Sequence, residues 1–167
     1  MKTAVIQFNA GSNKKENIAK AVSFVEQAIG EKAEFIALPE VFPFRGRVKE
    51  CLSSLVEDVP GESTRPLQEL AKKHKVFILA GSIYEKAQGK DKAYNTSLLI
   101  DDCGKVAAAY RKINLFDLEL AEKKMKESDY FIAGQKTVAA RVKDFSVGLS
   151  VCYDIRFPNL YQEYSRQ

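Results

Sequence analysis

Apolar and polar positions along this chain fall into blocks whose period changes from segment to segment. Thr3-Ala4-Val5-Ile6-Gln7-Phe8 is a short apolar run of strand type, broken by Gly11 and Ser12. Asn13, with Glu16 three positions on, resembles a capping box. Ile18, Ala21, Val22, Val25, Ala28 and Ile29 follow at spacings that place them on one helix face, and Gly30 is positioned to end that helix. Phe35-Ile36-Ala37-Leu38 is a second apolar run, stopped by Pro39. Strand, helix and strand in this order predict a βαβ unit, with parallel strands and a right-handed crossover.

From Pro39 to Gly61 the pattern is irregular and rich in proline, which predicts a loop with a short helix around Lys49 to Leu55. Ser63 or Thr64 is placed to cap another helix with Leu67, Leu70 and Ala71 facing inward. Val76 to Tyr84 reads as one third strand. Ala93–Ile100 and Lys105–Tyr110 read as two more, joined by a turn at Asp101-Asp102-Cys103-Gly104 in which Gly104 supplies a positive φ. Ile113 to Lys136 is long, mostly polar and without a sustained period; a loop of that length inside a compact domain is usually functional. Val138–Val142 and Phe145–Val151 are two further strands, and a helix carrying Leu160, Tyr161 and Tyr164 follows Asp154. Repeats, low-complexity tracts and linkers are absent from the sequence, so the pattern is one α/β domain over residues 1–167.

Composition narrows the picture. Of the 167 residues 46% are apolar, enough for a real core, which excludes disorder as the main state. Apolar stretches such as Val76 to Ala80 fall far short of the roughly 18 residues of a membrane span. Gln7 and Asn9 interrupt any signal-peptide core, so the expectation is a soluble, cytoplasmic protein. The net charge of +4 is mild. The short basic clusters Lys14-Lys15, Lys72-Lys73-His74-Lys75 and Lys123-Lys124 lack interleaved aromatics, and read as solvated helix faces or ends rather than a nucleic-acid surface. Cys51, Cys103 and Cys152 have no CxxC spacing; reduced thiols are expected, not a disulfide scaffold or a metal site.

Three polar residues lie just past apolar runs, where open α/β sheets gather ligands. Glu40, between Pro39 and the apolar pair Val41-Phe42, is placed to be partly desolvated, which suits a general base. Lys112 ends a strand at the mouth of the long loop, where its charge can stabilise a developing anion. Cys152 ends a strand and opens a helix, in the manner of a nucleophile elbow at the positive end of a helix dipole. Each also has a plain reading: a surface acid, a snorkelling strand-end lysine and a buried structural thiol. Cys51 and Cys103 have no comparable setting. A papain-like cysteine needs a histidine, and the single His74 sits among lysines that disfavour its imidazolium. A carboxylate is therefore the better proton acceptor for Cys152.

Glu40 in Leu-Pro-Glu, Lys112 in Arg-Lys-Ile-Asn-Leu-Phe-Asp and Cys152 in Val-Cys-Tyr-Asp-Ile-Arg-Phe-Pro together resemble the nitrilase superfamily of carbon–nitrogen hydrolases. The likeness runs over essentially the whole chain and includes Ala93-Tyr94-Asn95-Thr96-Ser97. It implies a four-layer α-β-β-α sandwich in which Glu40 is the base, Cys152 the nucleophile, and Lys112 with the Tyr153 backbone N–H the oxyanion site. Glu127 matches a second acid that contacts the lysine in family members; Glu119 and Glu122 are rivals in the same loop. The segment around Cys152 resembles the branches acting on small ω-amides of 2-oxo acids or on deaminated glutathione. The resemblance implies a small amide substrate, ammonia as product, no cofactor and a homo-oligomer.

Arg156 stands in the first turn of the expected helix, against its dipole. It is a candidate for binding an anionic substrate or for pairing internally with Asp154 or another acid. A nitrilase-type sandwich needs on the order of 250 residues, and only 15 follow Cys152. The expectation is therefore the N-terminal portion of such an enzyme, with part of the second sheet absent. Two alternatives from other classes stand beside it. One is a non-catalytic fragment or interaction subunit that keeps the motifs. The other, a flavodoxin-like small-molecule binding module, is disfavoured by the single glycine in Asn9-Ala10-Gly11-Ser12-Asn13.

Overall fold

The structure, a computed structural model, describes residues 1–120 and 123–166. Strand β1 (Thr3–Val5), helix α1 (Lys14–Gly30) and strand β2 (Phe35–Ala37) form the expected βαβ unit, with β1 and β2 parallel. Half of the capping box is present: the Glu16 N–H donates to Asn13 Oδ1 at 3.3 Å, while Glu16 Oε1 accepts from the Asn13 side-chain Nδ2 at 2.7 Å and not from its backbone N–H. β1 is shorter than the apolar run, although the Ile6 N–H still bonds the Ala37 carbonyl at 2.8 Å. Helices α2 (Val48–Leu55) and α3 (Arg65–His74) follow.

The run expected as one strand over 76–84 is two: β3 (Phe77–Leu79) and β4 (Ile83–Lys86). Both lie along β5 (Ala93–Ile100), β3 at Ile78↔Ile100 and β4 at Ile83↔Thr96. The break falls at Gly81 (φ +44°) and Ser82, whose Oγ accepts the Val41 N–H at 2.9 Å. The sequence stays largely apolar across the break, so periodicity could not reveal it. Strand β6 (Val106–Arg111) closes a six-stranded sheet.

Within the expected loop over 113–136 lie a hairpin of β7 (Asp117–Leu120) and β8 (Lys123–Lys126) and a 3-10 turn over Glu127–Asp129. Asp117-Leu118-Glu119-Leu120 does alternate, but over four residues only, and the lysine-rich Lys123-Lys124-Met125-Lys126 does not continue the pattern, so the ribbon is hard to read from the sequence. Strands β9 (Ala139–Val142) and β10 (Phe145–Gly148) pair antiparallel, and helix α4 (Pro158–Tyr164) comes after the elbow.

The layers follow from which side each strand buries. α1 and α3 cover one face through Val25, Ala21, Leu67 and Ala71, packed on Ile36, Ile78, Leu98 and Ile100. Leu99 and Tyr110 point to the other face, where Val142, Leu149 and Val151 meet them. Each such fully buried aliphatic contributes about 1.5–3 kcal/mol. Val147 packs toward this inter-sheet core; a Cβ on Gly148, the next residue, would meet the ring of Tyr164 in α4 at 2.6 Å. Neighbouring strand residues face opposite ways, so α4 lies outside the β9–β10 layer. The result is the α-β-β-α order of a nitrilase-type sandwich.

Candidate active site

The first site residue sits where the β2 ladder ends. The Leu38 N–H makes a last bond to the Leu79 carbonyl at 2.9 Å, and Pro39, which has no N–H, then releases the chain into a turn. Glu40 opens this turn, half-buried, ahead of Val41 at φ +45°. Its Oε1 accepts from Asn95 Nδ2 at 2.9 Å and from Lys112 Nζ at 3.1 Å. Its Oε2 lies 3.9 Å from the Arg45 guanidinium.

Lys112 extends β6, its N–H bonded to the Asn95 carbonyl at 2.8 Å. Two residues after Tyr110 it faces the same inter-sheet side, while Arg111 between them faces the other way and pairs with Glu85. The Lys112 side chain is fully buried, with Glu127 Oε1 at 3.0 Å and Oε2 at 2.9 Å in addition to Glu40. Burial alone would lower the ammonium pKa. The Glu127 hydrogen bond and the charges of Glu40 and Glu127 outweigh it, and the pKa is raised. Glu127 is itself oriented by the Phe116 N–H, which donates to Oε2 at 2.7 Å. Of the three candidate glutamates in the loop, Glu127 therefore meets Lys112. Glu119 pairs with Lys126 at 3.3 Å, and Glu122 lies outside the described residues.

Cys152 follows Val151 at a sharp bend, with φ +46°. The helix expected directly after it is a 3-10 turn over Cys152–Arg156, and the α-helix begins at Pro158. The thiol pKa is raised, not lowered as a strong helix dipole would have it. Desolvation contributes most, then the Glu40 charge, while Lys112 opposes them. The Tyr153 N–H bonds no backbone carbonyl among the described residues, and its ring lies edge-on to Phe116 at 5.0 Å and Phe157 at 5.4 Å.

Asp154 holds the bend, a role the sequence reading missed. It is fully buried and accepts four hydrogen bonds: from the Val151 N–H at 2.9 Å, the Tyr110 hydroxyl at 2.7 Å, and the Asn114 N–H and Nδ2 at 2.9 and 2.8 Å. One carboxylate thus ties the Cys152 bend to the segment on either side of Lys112. The signal that could have found it is an acid two residues past the thiol and flanked by Tyr153 and Ile155. The suggested Arg156–Asp154 pair is absent, because Asp154 is already occupied. Arg156 is exposed at the end of the 3-10 turn rather than in a first helical turn, so the dipole argument does not apply to it. His74 is exposed in the last turn of α3, Cys103 lies in an exposed turn, and Cys51 Sγ donates to the Arg47 carbonyl at 3.0 Å.

The arrangement brings a carboxylate, a buried ammonium and a thiol together at the carboxyl ends of β2, β6 and the β10 segment. Such a set can take a proton from sulfur and hold a developing oxyanion without a bound group.

Residues 2–167 match the carbon-nitrogen hydrolase family. The chain is 35% identical to omega-amidase NIT2 of Homo sapiens over 98% of its own length and 59% of that protein's. It is 36% identical to a deaminated glutathione amidase of Synechocystis sp., covering 98% of this chain and 61% of the relative. The crystal structure of Saccharomyces cerevisiae Nit3, a member of branch 10 of the nitrilase superfamily, superposes with a TM-score of 0.85 at 30% identity, over 99% of this chain and 60% of that one. The chain thus spans about three-fifths of the length of these relatives. It belongs to the carbon–nitrogen hydrolase family.

Proposed function

We propose that this carbon–nitrogen hydrolase carries the machinery of a thiol amidase, with Glu40 as base, Cys152 as nucleophile and Lys112 as oxyanion stabiliser. The observation that carries the reading is the buried Lys112 ammonium, held 3.1 Å from Glu40, beside a thiol whose pKa is pushed up by desolvation first and then by that carboxylate. In this mechanism Glu40 takes the Cys152 proton as sulfur attacks the amide carbonyl carbon and the C–S bond forms. Lys112 and the Tyr153 N–H hold the oxyanion. Glu40 returns the proton to the amide nitrogen, the C–N bond breaks, and ammonia leaves a thioester on Cys152. Water, deprotonated by Glu40, then attacks the thioester, the C–S bond breaks, and the acid and the free thiol are restored. Glu127 keeps Lys112 charged and aimed. None of these steps requires a cofactor.

The names of the relatives support a small ω-amide as substrate. The family resemblance also supports a homo-oligomer, and among the described residues no helix is long and apolar enough to cross a membrane. The deciding experiment is ammonia release over a panel of small ω-amides, expected to survive EDTA and to vanish in Cys152→Ala. A second reading, a non-catalytic fragment or interaction subunit, draws on the three-fifths span of the relatives. A chain extended past Gln167 separates the two readings, because activity in the longer chain alone supports the second.

A further inference from the structure

We infer that Asn95 is a positioning residue for the general base: together with Lys112 it occupies Glu40 Oε1, so that Oε2 is the oxygen that exchanges protons with Cys152 and with the attacking water. This rests on the amidase reading above. Asn95 Nδ2 donates to Glu40 Oε1 at 2.9 Å, and Lys112 Nζ donates to the same oxygen at 3.1 Å. Among the described residues Oε2 accepts no hydrogen bond, and its ion-pair contact with Arg45 Nη2, at 3.9 Å, is too long for one. A glutamate carboxylate turns readily about its last side-chain bond, because that torsion is broad and roughly two-fold. Two donors on one oxygen stop the turn and leave the other oxygen free to accept a proton.

Lys112 alone does not fix that orientation. Its ammonium is a rotatable point charge on a long stem, and it is shared with both oxygens of Glu127, at 3.0 and 2.9 Å. Asn95 carries a planar amide on a short stem, and its backbone lies in β5, opposite Tyr84 of β4. Its carbonyl accepts the Lys112 N–H at 2.8 Å. One residue thus holds the base by its side chain and the lysine by its main chain, which sets the spacing between the two. A plain structural role accounts poorly for this amide. Asn95 is 2% exposed, and its Oδ1 is buried with no hydrogen-bond partner among the described residues. An unpaired buried acceptor destabilises a fold, and an apolar side chain of similar shape, such as leucine, carries no such cost. What leucine lacks is the donor to Glu40. A carboxylate oxygen only accepts, so the amide is turned with Nδ2 toward Glu40 and Oδ1 away from it. The unpaired Oδ1 follows from that orientation.

The test follows hydrolysis of an acetyl thioester on Cys152 in the chain as it stands. p-Nitrophenyl acetate transfers its acetyl group to the thiol: the C–S bond forms, the ester C–O bond breaks, and p-nitrophenol leaves with the thiol proton. Water then cleaves the thioester to acetate and the free thiol, and intact-mass spectrometry times that second step. At neutral pH the water needs a base, whereas at alkaline pH hydroxide replaces it. Asn95→Leu is expected to slow the step by about 10- to 100-fold at neutral pH, and to approach the parent rate as pH rises. Asn95→Ala removes the same donor without leucine's packing demand and should behave alike. In a Glu40→Gln chain no base is left to aim, so adding either Asn95 substitution should change the rate by less than about twofold. Parental rates in the Asn95 variants, a loss of equal size at every pH, or the same loss with and without Glu40 overturns the inference. If no acetyl group settles on Cys152, or Glu40→Gln leaves its hydrolysis unslowed, the amidase reading itself fails and takes the inference with it.

Discussion

A Cβ on Gly81 would lie 1.9 Å from the carbonyl oxygen of Pro39. The two residues meet where the edge beside β5 is broken into β3 and β4, and the break makes room for the turn that carries Glu40. Ser82, next in the chain, receives the Val41 N–H of the same turn at 2.9 Å. Glycine is needed here twice over, for the close approach and for φ +44°.

Gly81→Ala is therefore expected to lose stability and to displace Glu40. The left-handed backbone alone costs about 1–2 kcal/mol, and the clash adds to that. Urea unfolding should show a drop of at least that size, together with slower alkylation of Cys152. Unchanged behaviour in both measurements would mean the turn tolerates the methyl group.

The charge on Glu40 raises the Cys152 thiol pKa after desolvation does, with Lys112 opposing. Glu40→Gln removes that negative charge, so the thiolate should form at lower pH than in the parent chain. Turnover should nevertheless fall by at least about 100-fold, because the base is gone. The thiolate's ultraviolet absorbance followed against pH reads the first effect, and ammonia release reads the second. An upward shift in the thiol titration would contradict the assigned contact.

Glu127→Gln removes one of the two carboxylates around a buried ammonium. The Lys112 pKa is raised in the folded chain. Its contribution to stability is therefore full below the unfolded value of about 10.4 and is lost as pH climbs through the folded one. The substitution should cost about 1.5–3 kcal/mol at neutral pH. The gap to the parent chain should narrow at strongly alkaline pH, where both chains lose the charged pairing. Urea midpoints measured across that range check the sign; a gap that widens would refute it.

Asp154→Ala leaves the donors of Val151, Tyr110 and Asn114 without their acceptor, at about 1–3 kcal/mol for each buried group left unsatisfied. Tyr110→Phe removes one hydroxyl and should cost about 1 kcal/mol. The order of the two urea midpoints is the prediction. Cys152 alkylation should slow in Asp154→Ala, because the bend that presents the thiol loosens. Equal stability of the two variants would show that Asp154 does not hold the bend.

Much of this could be read from the residues alone. The βαβ opening, the Asn13–Glu16 cap, the turn at Gly104 and the helix-facing pattern of Leu67, Leu70 and Ala71 are local properties, set by spacing and turn chemistry within a few positions. Glu40, Lys112 and Cys152 stood out because each is a reactive side chain just past an apolar run. The failures share a cause too. The break at Gly81 serves a turn some forty positions earlier in the chain, and the alternation in the β7–β8 ribbon is confined to the four residues of β7. Asp154 was seen only as a neighbour of Arg156, since its partners Tyr110 and Asn114 lie 44 and 40 positions away.

The sequence by itself determined the family, the opening βαβ unit and which three reactive side chains stand at strand ends. Hydrophobic periodicity is a short-range record of which way a side chain faces, and that is enough for those tasks. Only the tertiary structure decided that Glu127 meets Lys112, that Asn95 and Arg45 border Glu40, and that Asp154 braces the thiol. Glu40 lies 72 positions from Lys112 and 55 from Asn95 along the chain. Contacts across such separations depend on how the layers pack, and no local pattern carries that information.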